Sequence, residues 1–325
     1  MKEIGGYFEF ERLAGREYYP GLYKFNLART AAAWFLKQRG CGRAFMPRFL
    51  CASVFEAVED AGIPQEYYSI KEDFTPDETT LPDPGEFKDG DFLYVVNSYG
   101  LIPDGTLKQL SAKYKNVLVD NTHAFFRKPV EGIATLYSVR KFFGVPDGAY
   151  LYTEDALSMP EETDKSGGRF SHIFGRLEED ASTYYRVMLD NAESYVGERA
   201  KRMSITTQEI LGAIDYESAK NKRTENFNYL HERLGRFNGL GDFVLAAADG
   251  AFCYPLLTDG GISVRKALAA KKIYVPTYWG NVINDTPLDS IEHRFASGIL
   301  ALPCDQRYGL EDMERVADEA TSLLN

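Results

Sequence analysis

Short apolar runs alternate with longer segments in which apolar residues recur every three or four positions over the first half of the chain. Short apolar runs are typical of buried strands, and the longer period is typical of helices with one buried face. The pattern predicts helices over 27–39, 50–61 and 107–115, and strands over 43–47, 66–70, 91–99, 117–120, 134–138 and 149–153. Strands joined by helices form parallel sheets, so we expect a doubly wound α/β domain with its chemistry at the carboxyl ends of the strands.

The second half has a different pattern. Residues 154–170 contain acids, Pro160, Gly167 and Gly168 without periodicity, which predicts an exposed loop. Long helices over 178–195 and 206–234, a strand over 252–257 and a helix over 263–270 then predict a smaller α/β domain. We therefore expect a large domain over 1–200, and a long connecting helix with a small carboxyl-terminal domain over 201–325.

Composition limits the possible partners. The chain has 325 residues, 44% of them hydrophobic, and a net charge of −11. That charge argues against nucleic acid and anionic membranes as partners, while a local basic site could still bind an anionic small molecule. The longest apolar run, 31–36, is too short to span a bilayer, and the first residues lack an apolar signal core, so we expect a cytoplasmic protein.

Cysteines and histidines give no sign of a metal site. Four cysteines and four histidines are scattered along the chain without the spacing of a zinc site or a redox motif. We expect reduced cysteines and no metal.

Two residues suggest a cofactor. Lys141 follows the predicted strand 134–138 and precedes a Gly-Val-Pro-Asp-Gly turn, and Asp120 ends another predicted strand 21 positions earlier. Pyridoxal phosphate requires a lysine that holds its aldehyde as a Schiff base and a carboxylate against its ring nitrogen. The alternatives are an exposed lysine and an aspartate that caps a helix or turn. The order and setting of the two residues favour the cofactor.

Several motifs, taken in chain order, resemble the sugar aminotransferases of the DegT/DnrJ/EryC1/StrS group. In the first half they are Leu-Ala-Arg-Thr-Ala-Ala at 27–32, Met-Pro-Arg-Phe at 46–49, Val-Asn-Ser-Tyr-Gly at 96–100, Asp-Asn-Thr-His-Ala at 120–124 and the segment 138–153. In the second half they are Arg-Met-Ser at 202–204, a segment at 272–276 like the strand of the family's small domain, and Ile-Leu-Ala-Leu-Pro at 299–303.

The resemblance implies a fold-type I pyridoxal phosphate enzyme, with a large doubly wound domain and a smaller carboxyl-terminal α/β domain. It implies that Lys141 binds the cofactor, Asp120 contacts its ring nitrogen and Ser138 contacts its phosphate. His123 would orient Asp120 or contact the cofactor, with a structural histidine as the alternative. Asn97 would lie near the cofactor's hydroxyl group, unless it only forms a turn.

The phosphate is expected at the start of the first helix, where unpaired backbone NH groups and the helix dipole favour an anion. Ala28, Arg29 and Thr30 would supply that site. Thr30 could instead cap the helix. Arg29 departs from the family's glycine, and it could contact phosphate, contact substrate or lie in solvent.

The sequence also departs from the family at the residue that stacks on the cofactor ring and at the residues that the neighbouring subunit donates. Cys51 occupies the place of the family's stacking aromatic residue, so Phe49 is our choice for ring stacking. The resemblance implies that an asparagine and an arginine from the neighbouring subunit contact the cofactor's phosphate; here Arg202 remains, while Ala200 takes the asparagine position. We still expect a homodimer.

The resemblance implies an aminotransferase that takes an amino group from an amino acid, with glutamate as the expected donor, and transfers it to a keto sugar linked to a nucleotide. One alternative is another pyridoxal phosphate reaction on the same fold, such as dehydration or lyase cleavage. The other is a noncatalytic binding or regulatory homologue.

Overall fold

A mostly parallel sheet forms the centre of the protein in the computed structural model, which describes residues 4 and 6–324. Its strands are β1 Tyr23–Phe25, β2 Arg43–Pro47, β3 Gln65–Tyr68, β4 Asp91–Val96, β5 Val117–Asp120, β6 Ala134–Ser138 and β7 Ala149–Tyr152. The seven strands are ordered β1-β7-β6-β5-β4-β2-β3. Strands β2 to β6 pair in parallel, and β7 is antiparallel to both of its neighbours. The predicted doubly wound α/β architecture is confirmed.

Burial on both faces explains why the central strands were predictable. All residues of β4 and β5 are buried, so their sequences read as continuous apolar runs. Val96 pairs with Asp120, and Asp120 pairs with Leu136. Because these strands are parallel, β4, β5 and β6 end at the same edge of the sheet, which brings Asp120 and Ser138 together there.

Helices cover the sheet and build the second half. They are α1 Ala28–Gln38, α2 Ala52–Asp60, α3 Asp104–Tyr114, α4 Ser171–Glu178, α5 Tyr185–Glu193, α6 Ile205–Gly212, α7 Tyr216–Leu234, α8 Gly261–Ala270, α9 Gly280–Asp285, α10 Ile291–Gly298 and α11 Leu310–Leu324. Strands β8 Tyr254–Leu257 and β9 Ile299–Leu302 form an antiparallel pair. No helix in the described part of the chain is both long and apolar enough to cross a membrane.

Both long helices predicted in the second half are wrong as single elements. The helix over 178–195 is replaced by α4 and α5, because the Asp180 carboxylate accepts hydrogen bonds from the backbone of Ser182 and Thr183 and so stabilises a turn. The helix over 206–234 is divided into α6 and α7. Asp215 caps α7 by accepting a 2.9 Å hydrogen bond from the Ser218 amide.

Three further strand assignments change. The predicted strand 91–99 ends at Val96, since Ser98–Gly100 forms a 3-10 turn in which Tyr99 has a φ of 56°. The strand expected over 272–276 is wrong: Lys272 has a φ of 60°, and the chain then runs without strand pairing to α9. Strand β1 was not predicted, because three residues are too few to show a period. The proposed boundary at 200/201 stays a prediction.

Candidate active site

A cavity of about 1980 Å³ opens at the carboxyl edge of the central sheet. Its floor includes Asp120 and Ser138 from the strand ends, and one wall is the start of α1. Other parts of the lining come from α4, α5, one face of α8 and the segment 274–281. The sheet thus supplies the floor, while the second half of the chain encloses the space above it.

Asp120 is fixed by two hydrogen bonds. The Tyr94 hydroxyl donates to Oδ2 at 2.7 Å, and the Thr122 amide donates to Oδ1 at 2.8 Å. Burial raises the pKa of Asp120, since only 4% of the residue is exposed, while the bonds from Thr122 and Tyr94 act in the opposite direction. A carboxylate buried in this way would be stabilised by a cationic ligand.

Lys141 lies on the 3-10 turn Val139–Lys141 that follows β6, and it lines the same cavity. Its Nζ atom is 4.8 Å from the centre of the Tyr278 ring and makes no hydrogen bond or ion pair with any residue that the structure describes. Burial lowers the pKa of the Lys141 ammonium, and Arg140 adds to that shift, whereas Asp120 opposes it. A lowered pKa leaves more of the amine neutral and therefore nucleophilic.

His123 also lines the cavity, stacked among aromatic rings. Its imidazole is parallel to the Phe252 ring at 4.2 Å and to the Trp279 ring at 5.6 Å. The Tyr99 amide donates to Nδ1 at 3.4 Å, which places the proton of the neutral ring on Nε2. Nε2 is buried and has no hydrogen-bond partner within the described residues. Burial lowers the pKa of His123 well below its ordinary range, so the ring is neutral.

The start of α1 offers unpaired donors to the cavity. Leu27, the N-cap residue, gives no side-chain hydrogen bond, and Ala28 and Arg29 line the wall. Ser138 lines it as well, and its hydroxyl bonds to no residue in the described ranges. Thr30 does not line the cavity: its hydroxyl donates to Asn26 at 2.8 Å and to the Leu27 carbonyl at 3.0 Å. Its expected hydroxyl contact with phosphate is thus replaced by a local bond.

Three other expected site residues do not line this cavity. Phe49 is 1% exposed and packs edge-on against Trp279 at 4.9 Å, so it lies behind the cavity wall. Asn97 donates to Asn121 and accepts from the Ile102 amide, which makes it part of the turn after β4. Arg202 donates from Nε to the Pro160 carbonyl at 2.6 Å. Whether Arg202 reaches a partner's site stays a prediction.

The lining also contains residues that the sequence did not single out. Within the described chain, its charged lysine, arginine and carboxylate groups comprise seven cations and a single carboxylate, Asp120. The cations are Arg29, Arg140, Lys141, Arg176, Arg265, Lys266 and Arg307. Arg140 could have been noticed from its position beside Lys141. Arg265 and Tyr278 carry no comparable signal, because only the folding of the second half onto the sheet brings them here.

The arrangement fits a phosphorylated aldehyde such as pyridoxal phosphate. A partly neutral amine can hold an aldehyde carbon, a buried carboxylate can face a protonated ring nitrogen, and an excess of cations with free helix NH groups favours a phosphate. The Nε2 donor of His123 is a further buried polar group that lacks a partner among the residues that the structure describes.

Comparisons with known proteins agree at the level of the fold. No family model matches the chain, and no curated protein matches its sequence. Among solved structures, the S. venezuelae protein DesV, in complex with a ketimine intermediate, is 17% identical over 93% of this chain and 84% of that chain, with a TM-score of 0.62.

Two further structures give similar values. A DegT DnrJ EryC1 StrS aminotransferase from Brucella abortus is 14% identical over 94% of this chain and 86% of that chain, with a TM-score of 0.64. PseC from Helicobacter pylori, an aminotransferase of pseudoaminic acid biosynthesis, is 17% identical over 92% and 85%, with a TM-score of 0.62. The chain therefore has the fold of the DegT/DnrJ/EryC1/StrS-type sugar aminotransferases, the fold-type I architecture of pyridoxal phosphate enzymes.

Proposed function

We propose that this protein is a pyridoxal phosphate-dependent aminotransferase that moves an amino group from an amino acid, with glutamate as the donor, to a keto sugar carried on a nucleotide. One observation carries the proposal. Asp120 ends β5, Lys141 lies in the turn after the neighbouring parallel strand β6, and both line one cavity. Asp120 is the single carboxylate among the described lining residues.

When bound, the cofactor supplies an electron-withdrawing ring that accepts charge from the reacting carbon of the substrate. The Asp120 carboxylate, whose two oxygens are oriented by Tyr94 and Thr122, would face the ring nitrogen, and its charge would favour the protonated form of that nitrogen. Lys141 would hold the aldehyde carbon, and its amine would act toward the substrate carbon as a base and, once protonated, as an acid. The lowered pKa of Lys141 suits bonding to the aldehyde and removal of the substrate proton, since both require an unprotonated amine.

Size and charge support the substrate class. Small-molecule sites typically have volumes of about 300–1,000 Å³. The cavity, at about 1980 Å³, leaves room for a large substrate beside the cofactor, and its cations favour an anionic one. The structurally similar protein DesI was solved in the presence of its TDP-sugar product. A nucleotide sugar combines these properties.

A homodimer belongs to the proposal. Apolar side chains of α4 and α5 in the cavity lining are strongly exposed, with 50% of Phe174, 83% of Leu177 and 58% of Tyr185 accessible. Exposed apolar clusters mark contact surfaces, and a second copy would cover this one. Light scattering on the purified protein tests the dimer, and a stable active monomer would contradict it.

The first experiment is an absorption spectrum of the protein incubated with pyridoxal phosphate, followed by borohydride reduction and peptide mapping. We expect a reduced adduct on Lys141 that is lost in Lys141→Ala and kept in Lys113→Ala, a control lysine outside the cavity. An adduct elsewhere, or none, contradicts the proposal and leaves a binding homologue.

The second experiment concerns the reaction. The loaded protein is incubated with glutamate, and we expect 2-oxoglutarate to accumulate in proportion to the enzyme, and an amino sugar to form once a nucleotide-linked keto sugar is added. Release of ammonia or carbon dioxide in place of 2-oxoglutarate would instead identify another reaction on the same fold.

A further inference from the structure

Three arginines surround one buried tyrosine at the edge of the cavity. Tyr195 is fully buried, and its hydroxyl donates to the Pro146 carbonyl at 2.7 Å. The guanidinium carbon of Arg140 lies 4.7 Å from the centre of the Tyr195 ring, and that of Arg169 lies 4.4 Å from it. Arg29 donates from Nη2 to the Tyr195 carbonyl at 2.7 Å.

The three guanidinium groups differ in whether a carboxylate neutralises their charge. Arg169 forms an ion pair with Asp164 at 2.9 Å. Arg140 makes neither a hydrogen bond nor an ion pair with any residue in the described chain, and the described partner of the Arg29 guanidinium is a neutral carbonyl. Burial lowers the pKa of Arg140, and the nearby charge of Arg29 adds to the shift. Two partly buried cations without a counter-charge are costly, so this part of the cavity favours an anion.

The surroundings of Arg140 favour a phosphate. Arg140, Arg29 and Ser138 all line the cavity, and Arg29 belongs to the first turn of α1, whose free NH groups add donors for an anion. The Ser138 hydroxyl has no partner among the described residues. Arginine is suited to phosphate because its planar group donates two parallel hydrogen bonds.

We propose that Arg140 and Arg29 hold the phosphate of the cofactor, so that its charge is balanced within one chain. This inference rests on the proposed function and assigns Arg140 a role as the main phosphate ligand. It differs from the arrangement implied by the family resemblance, in which an arginine of a neighbouring subunit, Arg202 in this sequence, reaches the phosphate. In its own chain Arg202 is bonded to the Pro160 carbonyl, away from this cavity.

The test compares two aldehydes that differ only in the phosphate. Equilibrium dissociation constants of pyridoxal 5'-phosphate and pyridoxal are measured by absorbance titration for the wild type, Arg140→Gln, Arg29→Gln and Arg140→Lys. Arg169→Gln is the matched control, since Arg169 contacts the same ring but is already paired with Asp164. Arg202→Gln distinguishes the two possible phosphate ligands. The readout is the ratio of the two constants, which needs no turnover.

We expect Arg140→Gln to reduce the preference for the phosphorylated aldehyde about 10- to 100-fold, the range for a charge-assisted hydrogen bond. Arg29→Gln should reduce it less, and Arg140→Lys should keep most of it. Arg169→Gln and Arg202→Gln should leave it unchanged. An unchanged affinity for pyridoxal in Arg140→Gln shows that the variant is folded.

Two results would overturn the inference: an unchanged preference in Arg140→Gln, or a preference lost in Arg202→Gln. Equal affinity of the wild type for both aldehydes at Lys141 would also overturn it while leaving the lysine assignment intact. If neither aldehyde reacts with Lys141, the proposed function fails together with this inference.

Discussion

The Tyr94 hydroxyl lies 2.7 Å from Oδ2 of Asp120, and the two residues come from the paired strands β4 and β5. Tyr94 is itself anchored, because its carbonyl accepts a 2.7 Å hydrogen bond from the buried Tyr68 hydroxyl. The sheet therefore holds the carboxylate in one orientation before any ligand binds. A cofactor site requires side chains that are held in place in this way. The burial and hydrogen bonds of Asp120 should also affect the free energy of unfolding.

We expect Asp120→Asn to change how stability depends on pH. The pKa of Asp120 is raised by burial, so the folded protein keeps a proton that the unfolded chain has lost. The unfolding free energy of the wild type should therefore fall as pH rises from the ordinary aspartate pKa to the raised value. Urea unfolding across this range should show a smaller fall in Asp120→Asn. Parallel pH profiles for the two proteins would contradict the expectation.

Tyr94→Phe should destabilise the protein by about 1–3 kcal/mol, because it leaves one oxygen of a buried carboxylate without its donor. Tyr67→Phe is the control, since the Tyr67 side chain is exposed and its hydroxyl makes no hydrogen bond among the residues described. Urea denaturation of both variants measures the difference. Equal stabilities would show that the Tyr94 hydroxyl contributes little.

The reactivity of Lys141 should rise at a lower pH than that of a free lysine amine. Burial lowers its pKa, so the neutral amine predominates earlier as pH increases. Asp120 raises that pKa, and Asp120→Asn should therefore shift the midpoint further down. Labelling with an amine-reactive reagent, followed by peptide mapping at a series of pH values, measures both midpoints. A wild-type midpoint at or above that of free lysine is the contrary result.

Arg223 should be essential for stability. It is 2% exposed, and its guanidinium donates to the carbonyls of Ala251 at 2.8 Å and of Phe142 at 3.1 Å, and to Gln306 at 2.6 Å. Phe142 follows Lys141, so α7 is tied directly to the lysine turn. Arg223→Met removes the donor to the Ala251 carbonyl and to the side-chain oxygen of Gln306, while the Phe142 carbonyl keeps its bond from the Gln306 amide group; the variant should lose about 3 kcal/mol or more of stability.

The control for Arg223 lies on the same helix. Arg233 is more exposed and pairs with Asp318 at the surface, so Arg233→Met should change the urea midpoint little. Similar losses in the two variants would show that the buried contacts of Arg223 are not decisive.

Gly148→Ala should disturb the turn after Lys141. Gly148 has a φ of 120°, and an added Cβ would lie 2.4 Å from Cγ2 of Val139. Gly132→Ala is the matched control, because Gly132 has a φ of 78° with nothing within 4 Å of an added Cβ. Backbone strain costs about 1–3 kcal/mol at either site, and the clash adds to it at Gly148. Thermal melts should show a larger loss for Gly148→Ala, whereas equal losses would contradict the clash.

Some strands could be read from the sequence with correct bounds. The predicted strands 43–47, 117–120 and 134–138 coincide with β2, β5 and β6. Nearly all residues of these strands are buried, so a short apolar run was enough to predict each strand. The break in helix 206–234 was missed, because it is marked by the cap that Asp215 forms with Ser218 and not by the apolar period on which the prediction relied.

Some residues of the candidate site were also predictable from the sequence, and others were not. The sequence predicted that Lys141 and Asp120 lie close together, because Asp120 ends one buried strand, Lys141 follows another, and parallel strands end at one edge of a sheet. Thr30 and Asn97 were expected to face the cofactor, but their side chains satisfy local hydrogen bonds. A sequence pattern does not show which of several acceptors a polar side chain will choose.

By itself, the sequence determined the α/β class, the order of the central strands and helices, and the positions of Lys141 and Asp120 at strand ends. These features follow from local periodicity, which is fixed by residues close together in the chain. Only the tertiary structure decided which cavity arginines have no ion-pair partner among the described residues, and which aromatic rings enclose His123. Arg140 contacts Tyr195, and His123 contacts Phe252 and Trp279, across long stretches of sequence. Such contacts depend on packing in space, and no local pattern encodes them.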